Sequence, residues 1–139
     1  MNPKLSFADV VVVPTRSALT FTVRCSPVVP AYQELILEDA VGNSAHWVIS
    51  QPLEQLAKRP VLLWLMSAPP YNFPLECLEA GTVQSVATQH GADSDLRAGL
   101  TQGRLRLTFN GQRLRGYYRL QCLPTGCGQL WQLSPISQS

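Results

Sequence analysis

Proline and glycine punctuate this chain so evenly that no long helix fits between them. Eleven Pro and nine Gly are scattered through 139 residues, and each interior Pro removes a backbone donor and clashes with the preceding turn. What remains is short strands joined by turns, an all-β class. Hydrophobic residues make up 45% and charged residues only 14%, against roughly 25% charged in ordinary soluble domains. Normal apolar content with few charges points to a packed core and away from disorder. A chain of this length predicts one domain.

Several classes fall away on the same grounds. The longest apolar runs, Val10 to Val13 and Val61 to Met66, are far shorter than the ~20 residues a bilayer-spanning helix needs. Near the start, Lys4 is followed by Asp9 and a short apolar run, so no export signal is expected and cytoplasmic residence follows. In that compartment Cys25, Cys77, Cys122 and Cys127 are expected as thiols, with no C-x-x-C spacing among them.

Strands are predicted over Asp9 to Val13, Leu19 to Val23, Leu35 to Leu37 and His46 to Ile49, the last two joined as a hairpin through Gly42-Asn43-Ser44. Pro52 to Lys58 offers a helical turn or two with Pro at its opening. Val61 to Met66, continuously apolar, suits a strand buried on both faces. Pro69, Pro70 and Pro74 mark a loop, Gly81 to Ala87 resumes as strand, and Ser94 to Leu100 reads as a short helix capped by Ser94. Gln129 to Leu133 is the last strand, before a fraying tail. Residues 1–18 read as a lead-in, 19–133 as the barrel domain and 134–139 as tail. Trp47, Trp64 and Trp131 sit in apolar contexts and are expected in the core.

Charge is divided sharply along the chain. Residues 1–95 hold five Lys/Arg against nine acids, whereas residues 96–139 hold six Arg and no acid. Most of those arginines lie in Gly103 to Cys122, GRLRLTFNGQRLRGYYRLQC. Leu105, Leu107 and Phe109 alternate with Arg104, Arg106 and Thr108, and Asn110-Gly111 predicts a two-residue type I′ hairpin. In that register Arg106 faces Arg115, Leu107 faces Leu114, and Arg104 faces Tyr117. One face is then apolar and the other carries Arg104, Arg106, Arg113, Arg115, Tyr117 and Arg119. Arg opposite Arg is unfavourable unless an anion sits between them. Such a face suits a phosphate backbone with Tyr117 stacking on a base; it also suits an acidic protein, or a plain solvated surface.

Other chemistry-bearing residues have bland readings. His46 lies beside Trp47 on a strand and His90 precedes Gly91 in a turn. Cys122 and Cys127 bracket a turn with no second pair or His at ligand spacing. Ser26 and Ser67 have no His–Asp couple to activate them. Glu34 and Glu38 share a strand face, as a carboxylate pair or a solvated one.

Taken in series, Ala80-Gly81-Thr82-Val83, Leu100 to Leu105, Asn110-Gly111, Arg113-Leu114-Arg115-Gly116 and Leu130-Trp131-Gln132-Leu133 resemble the C-terminal half of the 3′-phosphoesterase domain of bacterial DNA ligase D. That family's signature His-Tyr-Asp-x-Arg-Leu-Glu falls on Tyr32 to Glu38, YQELILE. Its metal-binding His, His and Asp then correspond to Ser26, Tyr32 and Glu34. Its phosphate-clamping Arg and His correspond to Ile36 and Ser67, its Tyr to Tyr71, and an upstream Trp to Trp47. The stretch between Tyr71 and Gly81 is several residues shorter than in the family. The resemblance implies a small antiparallel β-barrel with one or two short helices. In intact members it implies a manganese-dependent hydrolase trimming 3′-terminal ribonucleotides and phosphates during DNA repair.

Here the replacements predict loss of that chemistry. Manganese wants imidazole and carboxylate, and Ser, Tyr and a lone Glu supply neither imidazole; Ile36 and Ser67 remove the groups that would neutralise a phosphoryl oxygen. No cofactor is therefore expected. The resulting expectation is a catalytically inactive, phosphoesterase-like binding or scaffolding protein. It would contact single-stranded or end-containing nucleic acid, or an acidic protein, through the arginine hairpin. The alternative is a divergent phosphoesterase working through Glu34, Glu38, Tyr71 and the arginines.

Overall fold

The computed structural model of the chain describes residues 19–29, 31–51, 59–67, 75–85 and 96–136. Its strands are β1 (Leu19–Cys25), β2 (Gln33–Glu38), β3 (Ser44–Ile49), β4 (Val61–Met66), β5 (Glu76–Ser85), β6 (Arg104–Asn110), β7 (Arg115–Cys122) and β8 (Leu130–Pro135). One helix, α1 (Leu96–Gln102), lies between β5 and β6. The strands close into an antiparallel barrel in the order β1-β2-β3-β4-β8-β7-β6-β5, and closure removes the exposed edges that an open sheet would leave. No described helix is long and apolar enough to cross a membrane.

Alternation of apolar and polar residues sets the wall's two faces. Phe21, Val23, Leu35, Leu37, Trp47, Leu63, Leu107, Phe109, Leu120, Trp131 and Leu133 all turn inward and are almost wholly buried. Edge-to-face aromatic contacts tie the core across the barrel: Phe21–Phe109 at 5.1 Å, Trp47–Trp131 at 5.7 Å and Phe109–Tyr118 at 5.7 Å between ring centres, the geometry that ring quadrupoles favour. Burial pushes the Tyr118 phenol above its usual 10.0. Helix α1 docks through Leu96 and Gly99. Gly103, at φ +83°, ends it, its N–H bonded to the Gly99 carbonyl at 2.8 Å, a left-handed cap that glycine adopts without strain.

Four expectations are corrected, three of them in the extent or burial of single strands. Val61–Met66 is not buried on both faces: Val61 and Leu63 point in, whereas Leu62 and Trp64 are 41% and 42% exposed, so Trp64 is not a core residue. An unbroken apolar run carries no period from which to tell the two faces apart. The final strand extends to Pro135, and the Ile136 N–H reaches the Tyr117 carbonyl at 2.9 Å, so the start of the expected tail is ordered. The strand placed at Gly81 begins earlier, at Glu76. The expected Asp9–Val13 strand, the Pro52–Lys58 turn, the Pro69–Pro74 loop, the Ser94 cap, Tyr71 and His90 lie outside the described residues.

The arginine hairpin is corrected most. Arg106 pairs with Arg119, Arg104 with Gln121, Leu107 with Tyr118, Thr108 with Tyr117 and Asn110 with Arg115, four residues away from the two-residue-turn register. Gly111 to Leu114 form the connection, with the Gly111 N–H on the Leu114 carbonyl at 3.0 Å. Its anchor comes from β5. The nearly buried Glu79 carboxylate accepts the Arg113 N–H on Oε1 and the Leu114 N–H on Oε2, both at 2.7 Å. Leu114 itself is 1% exposed and joins the core. Gly111 is obligatory here for space: a Cβ would press on Glu79 Oε2, on the Phe21 ring at 2.6 Å and on the Leu114 carbonyl at 2.7 Å.

The β2–β3 hairpin forms as expected, and its turn is held by one carboxylate. Asp39 Oδ1 accepts the N–H groups of Val41 (3.0 Å) and Asn43 (2.8 Å), and Oδ2 accepts the Asn43 side-chain amide at 2.8 Å, while Gly42 turns the chain at φ +100°. Partial burial acts to raise the Asp39 pKa, but the Asn43 side chain and the N–H groups of Asn43, Val41 and Gly42 outweigh it and hold it below the usual 3.8. A depressed carboxylate stabilises the fold above its unfolded pKa, and that contribution fades as pH falls through the folded value. Asp39→Ala is expected to lower stability by about 1 kcal/mol at neutral pH. Urea melts should show native and variant converging below about pH 4; a gap that persists at low pH would contradict the carboxylate's role.

Candidate functional site

Two groups of residues stand out, one beside β1 and β2 and one on β6 and β7. In β2 the inward Leu35 and Leu37 leave Glu34 and Ile36 on the other face, yet these two are only 3% and 6% exposed. Glu34 sits opposite Arg24 and Ile36 opposite Thr22. Arg24 Nη2 donates to Glu34 Oε1 at 3.4 Å, a single-point ion pair, and the Tyr32 hydroxyl donates to Glu34 Oε2. Ser26 follows β1, and its N–H bonds the Tyr32 carbonyl at 3.2 Å. The Ser26 hydroxyl accepts the N–H groups of Val28 (3.1 Å) and Val29 (2.9 Å), closing the loop after β1.

Ser26, Tyr32, Glu34 and Ile36 are thus neighbours at one end of the β1–β2 pair. Ser67 is not with them: it is exposed beyond the end of β4, across β3 from β2, and bonds to none of the four. Glu38 shares the face of Glu34 but lies exposed at the far end of β2, so the two carboxylates form no pair. Arg24, the partner that Glu34 found, gave no sequence signal, because only cross-strand register brings it there.

These residues do not fit the manganese that the resemblance implies. Both oxygens of Glu34 are engaged, the Ser26 hydroxyl already accepts two N–H bonds, and the Tyr32 phenol is spent as a donor. His46 stands opposite Ile36 on the next strand, but a lone imidazole beside an engaged carboxylate makes no metal site, and among the described residues no group of three or more His, Cys, Asp or Glu converges on one point. The cluster works as local structure, closing a loop and pairing a buried charge.

The second group lies on the outer face of β6 and β7. Because the register moves by four, an even number, the side chains that stay in the two strands keep their expected face even though their partners change. Arg104 and Arg106 on β6, and Arg115, Tyr117 and Arg119 on β7, share this face; the four arginines are exposed and Tyr117 is half-buried. Arg113 belongs to the connecting loop rather than to the strand face. Among the described residues, Arg104, Arg106, Arg115 and Arg119 make no ion pair; the one acid–base contact there is Arg24 with Glu34. Arg106 and Arg119 stand directly opposite each other, the cross-strand arrangement that repulsion penalises by a few tenths of a kcal/mol. Same-face residues two apart are separated by about 7 Å along a strand. The result is a ladder of guanidinium groups flanked by an aromatic ring.

The four cysteines are unpaired thiols; Cys77 and Cys127 are exposed, Cys25 and Cys122 half-buried. His46 is on the outer face of β3, level with Ile36 and Met66. No protein-family model matches the chain, and no curated protein matches it.

Proposed function

We propose that this protein is a non-catalytic, phosphoesterase-like binding module that holds the phosphate backbone of nucleic acid on the outer face of β6 and β7. The observation that carries the reading is the opposed Arg106 and Arg119 pair, on one face with Arg104 and Arg115, none of the four making an ion pair among the described residues. Like charges set directly across a ladder weaken the hairpin, and an anion between them turns that repulsion into attraction. Guanidinium groups suit phosphate because their fork of donors meets two oxygens at once. Side chains that reach phosphates rather than base edges give affinity with little sequence preference. The cluster around Glu34, occupied by Arg24 and Tyr32, supports a module without hydrolysis.

A fluorescent single strand carrying a 3′-phosphate tests both halves of the proposal. At low salt the native chain is expected to raise its anisotropy regardless of base sequence, and with manganese present the 3′-phosphate is expected to stay on. Absence of binding at low salt would move the arginine face to an acidic protein partner. Phosphate release abolished by Glu34→Ala would restore the divergent-enzyme reading.

A further inference from the structure

Among the described residues, the most exposed aromatic side chain lies one strand away from the arginine face. Trp64 is 42% exposed on β4, with Leu62 at 41% two residues before it on the same face. A single cross-strand row runs from Leu62 through Gln132 of β8 and Gln121 of β7 to Arg104 of β6. The row contains no acid, and its two amides offer both donors and acceptors. Three strand spacings, about 14 Å along the curved wall, separate its ends. That is about four stacked nucleotides at 3.4 Å each.

We infer that Trp64 is a stacking platform for an unpaired nucleobase, so that the ligand of this chain is single-stranded rather than duplex nucleic acid. The inference rests on the phosphate-binding role of β6 and β7 and adds the choice of strand to it. In a duplex both faces of each base are covered by neighbours, and a ring on a convex barrel wall has no free π surface to meet. In a single strand every base offers one, and stacking on an aromatic side chain tolerates all four bases. The positive end of the row at Arg104 draws the backbone in, and the indole, two residues along β4 from the far end at Leu62 and opposite Leu130, takes a base that swings away from it. On the outer face Trp64 stands opposite Val48 and Leu130, with His46 two residues further along β3, an apolar setting that suits a base.

The protein carries its own probe for this contact. Of its three tryptophans, Trp47 and Trp131 are 0% and 1% exposed in the core, so a ligand can quench only Trp64 by contact. Titration with an oligothymidylate of about a dozen nucleotides, within the range one small barrel engages, is expected to quench the native fluorescence. Trp64→Ala should weaken binding roughly tenfold, the order of one lost base stack, without changing its salt dependence, since no phosphate contact is removed. Trp64→Phe should recover most of the affinity with no quench, and duplex of the same length should bind about tenfold more weakly and without quenching the native chain. Native affinity in Trp64→Ala, alongside lost affinity in Arg106→Ala/Arg119→Ala, would overturn the stacking role and leave the phosphate reading standing. Self-association of the native chain abolished by Trp64→Ala would assign the patch to a second copy and overturn it too. No binding by the native chain at low salt would remove the phosphate reading first.

Discussion

Replacing Glu79 with alanine is expected to cost about 3 kcal/mol of folding stability, the largest effect of any single polar substitution outside the core aromatics. One carboxylate accepts two backbone N–H groups at 2.7 Å, from Arg113 and Leu114. Bonds to a charged acceptor are worth about 1.5 to 3 kcal/mol each. Without Glu79 both donors lose their partner, the Leu114 N–H in a fully buried setting. The damage spreads, because the connection from Gly111 to Leu114 carries Leu114 into the core beside Phe21 and Phe109. Glu79→Gln keeps one oxygen as acceptor and should lose about half as much. Denaturant melts measure the total, and amide exchange at Arg113 and Leu114 should accelerate before exchange in β1 or β7 does. A Glu79→Ala protein within about 0.5 kcal/mol of native, inside the usual range for surface changes, would show that the loop holds itself.

This connection is also where the sequence misleads. Asn110-Gly111 is the favoured pair for a type I′ turn, yet Gly111 does not take up a left-handed conformation and the turn does not form there. The deciding residue, Glu79, lies more than thirty positions earlier on β5, and no local pattern announces a carboxylate that will cap a distant loop. Leu114 adds a second reason, since a two-residue turn would have placed it in the ladder instead of inside the barrel mouth. The face of Arg104, Arg106, Arg115 and Arg119 was legible all the same, because alternation survives any even shift of register, whereas Arg113 left the ladder for the loop. Trp64 failed in the opposite way: within VLLWLM no polar residue marks which side meets water. The all-β class was legible from turn spacing and alternation, whereas closure into a barrel was what the resemblance implied. Ser26, Tyr32 and Glu34 were brought together only by the resemblance, and their mutual satisfaction depends on Arg24, which only the β1–β2 register supplies.

Arg106→Ala/Arg119→Ala is expected to separate binding from folding. Removing two opposed, unpaired cations relieves repulsion, so stability should hold or rise by a few tenths of a kcal/mol. A pair that served the fold would instead lower it. Binding to single-stranded nucleic acid should weaken most at low salt, where the lost phosphate contacts counted for most. Charge-neutralising contacts to a single strand each contribute about 0.7 to the slope of log K against log salt. The double variant should then retain a slope of about −1.4, from Arg104 and Arg115 alone. Lower stability together with unchanged affinity would assign these arginines to the barrel rather than to a ligand.

The salt dependence of the native chain bears most directly on the claim that β6 and β7 hold phosphates. Affinity for an unstructured oligonucleotide, measured by anisotropy between 50 and 200 mM salt, should fall by about fifty-fold, a slope near −3 from four guanidinium contacts. A flat profile, or binding that strengthens as salt is added, would contradict the account.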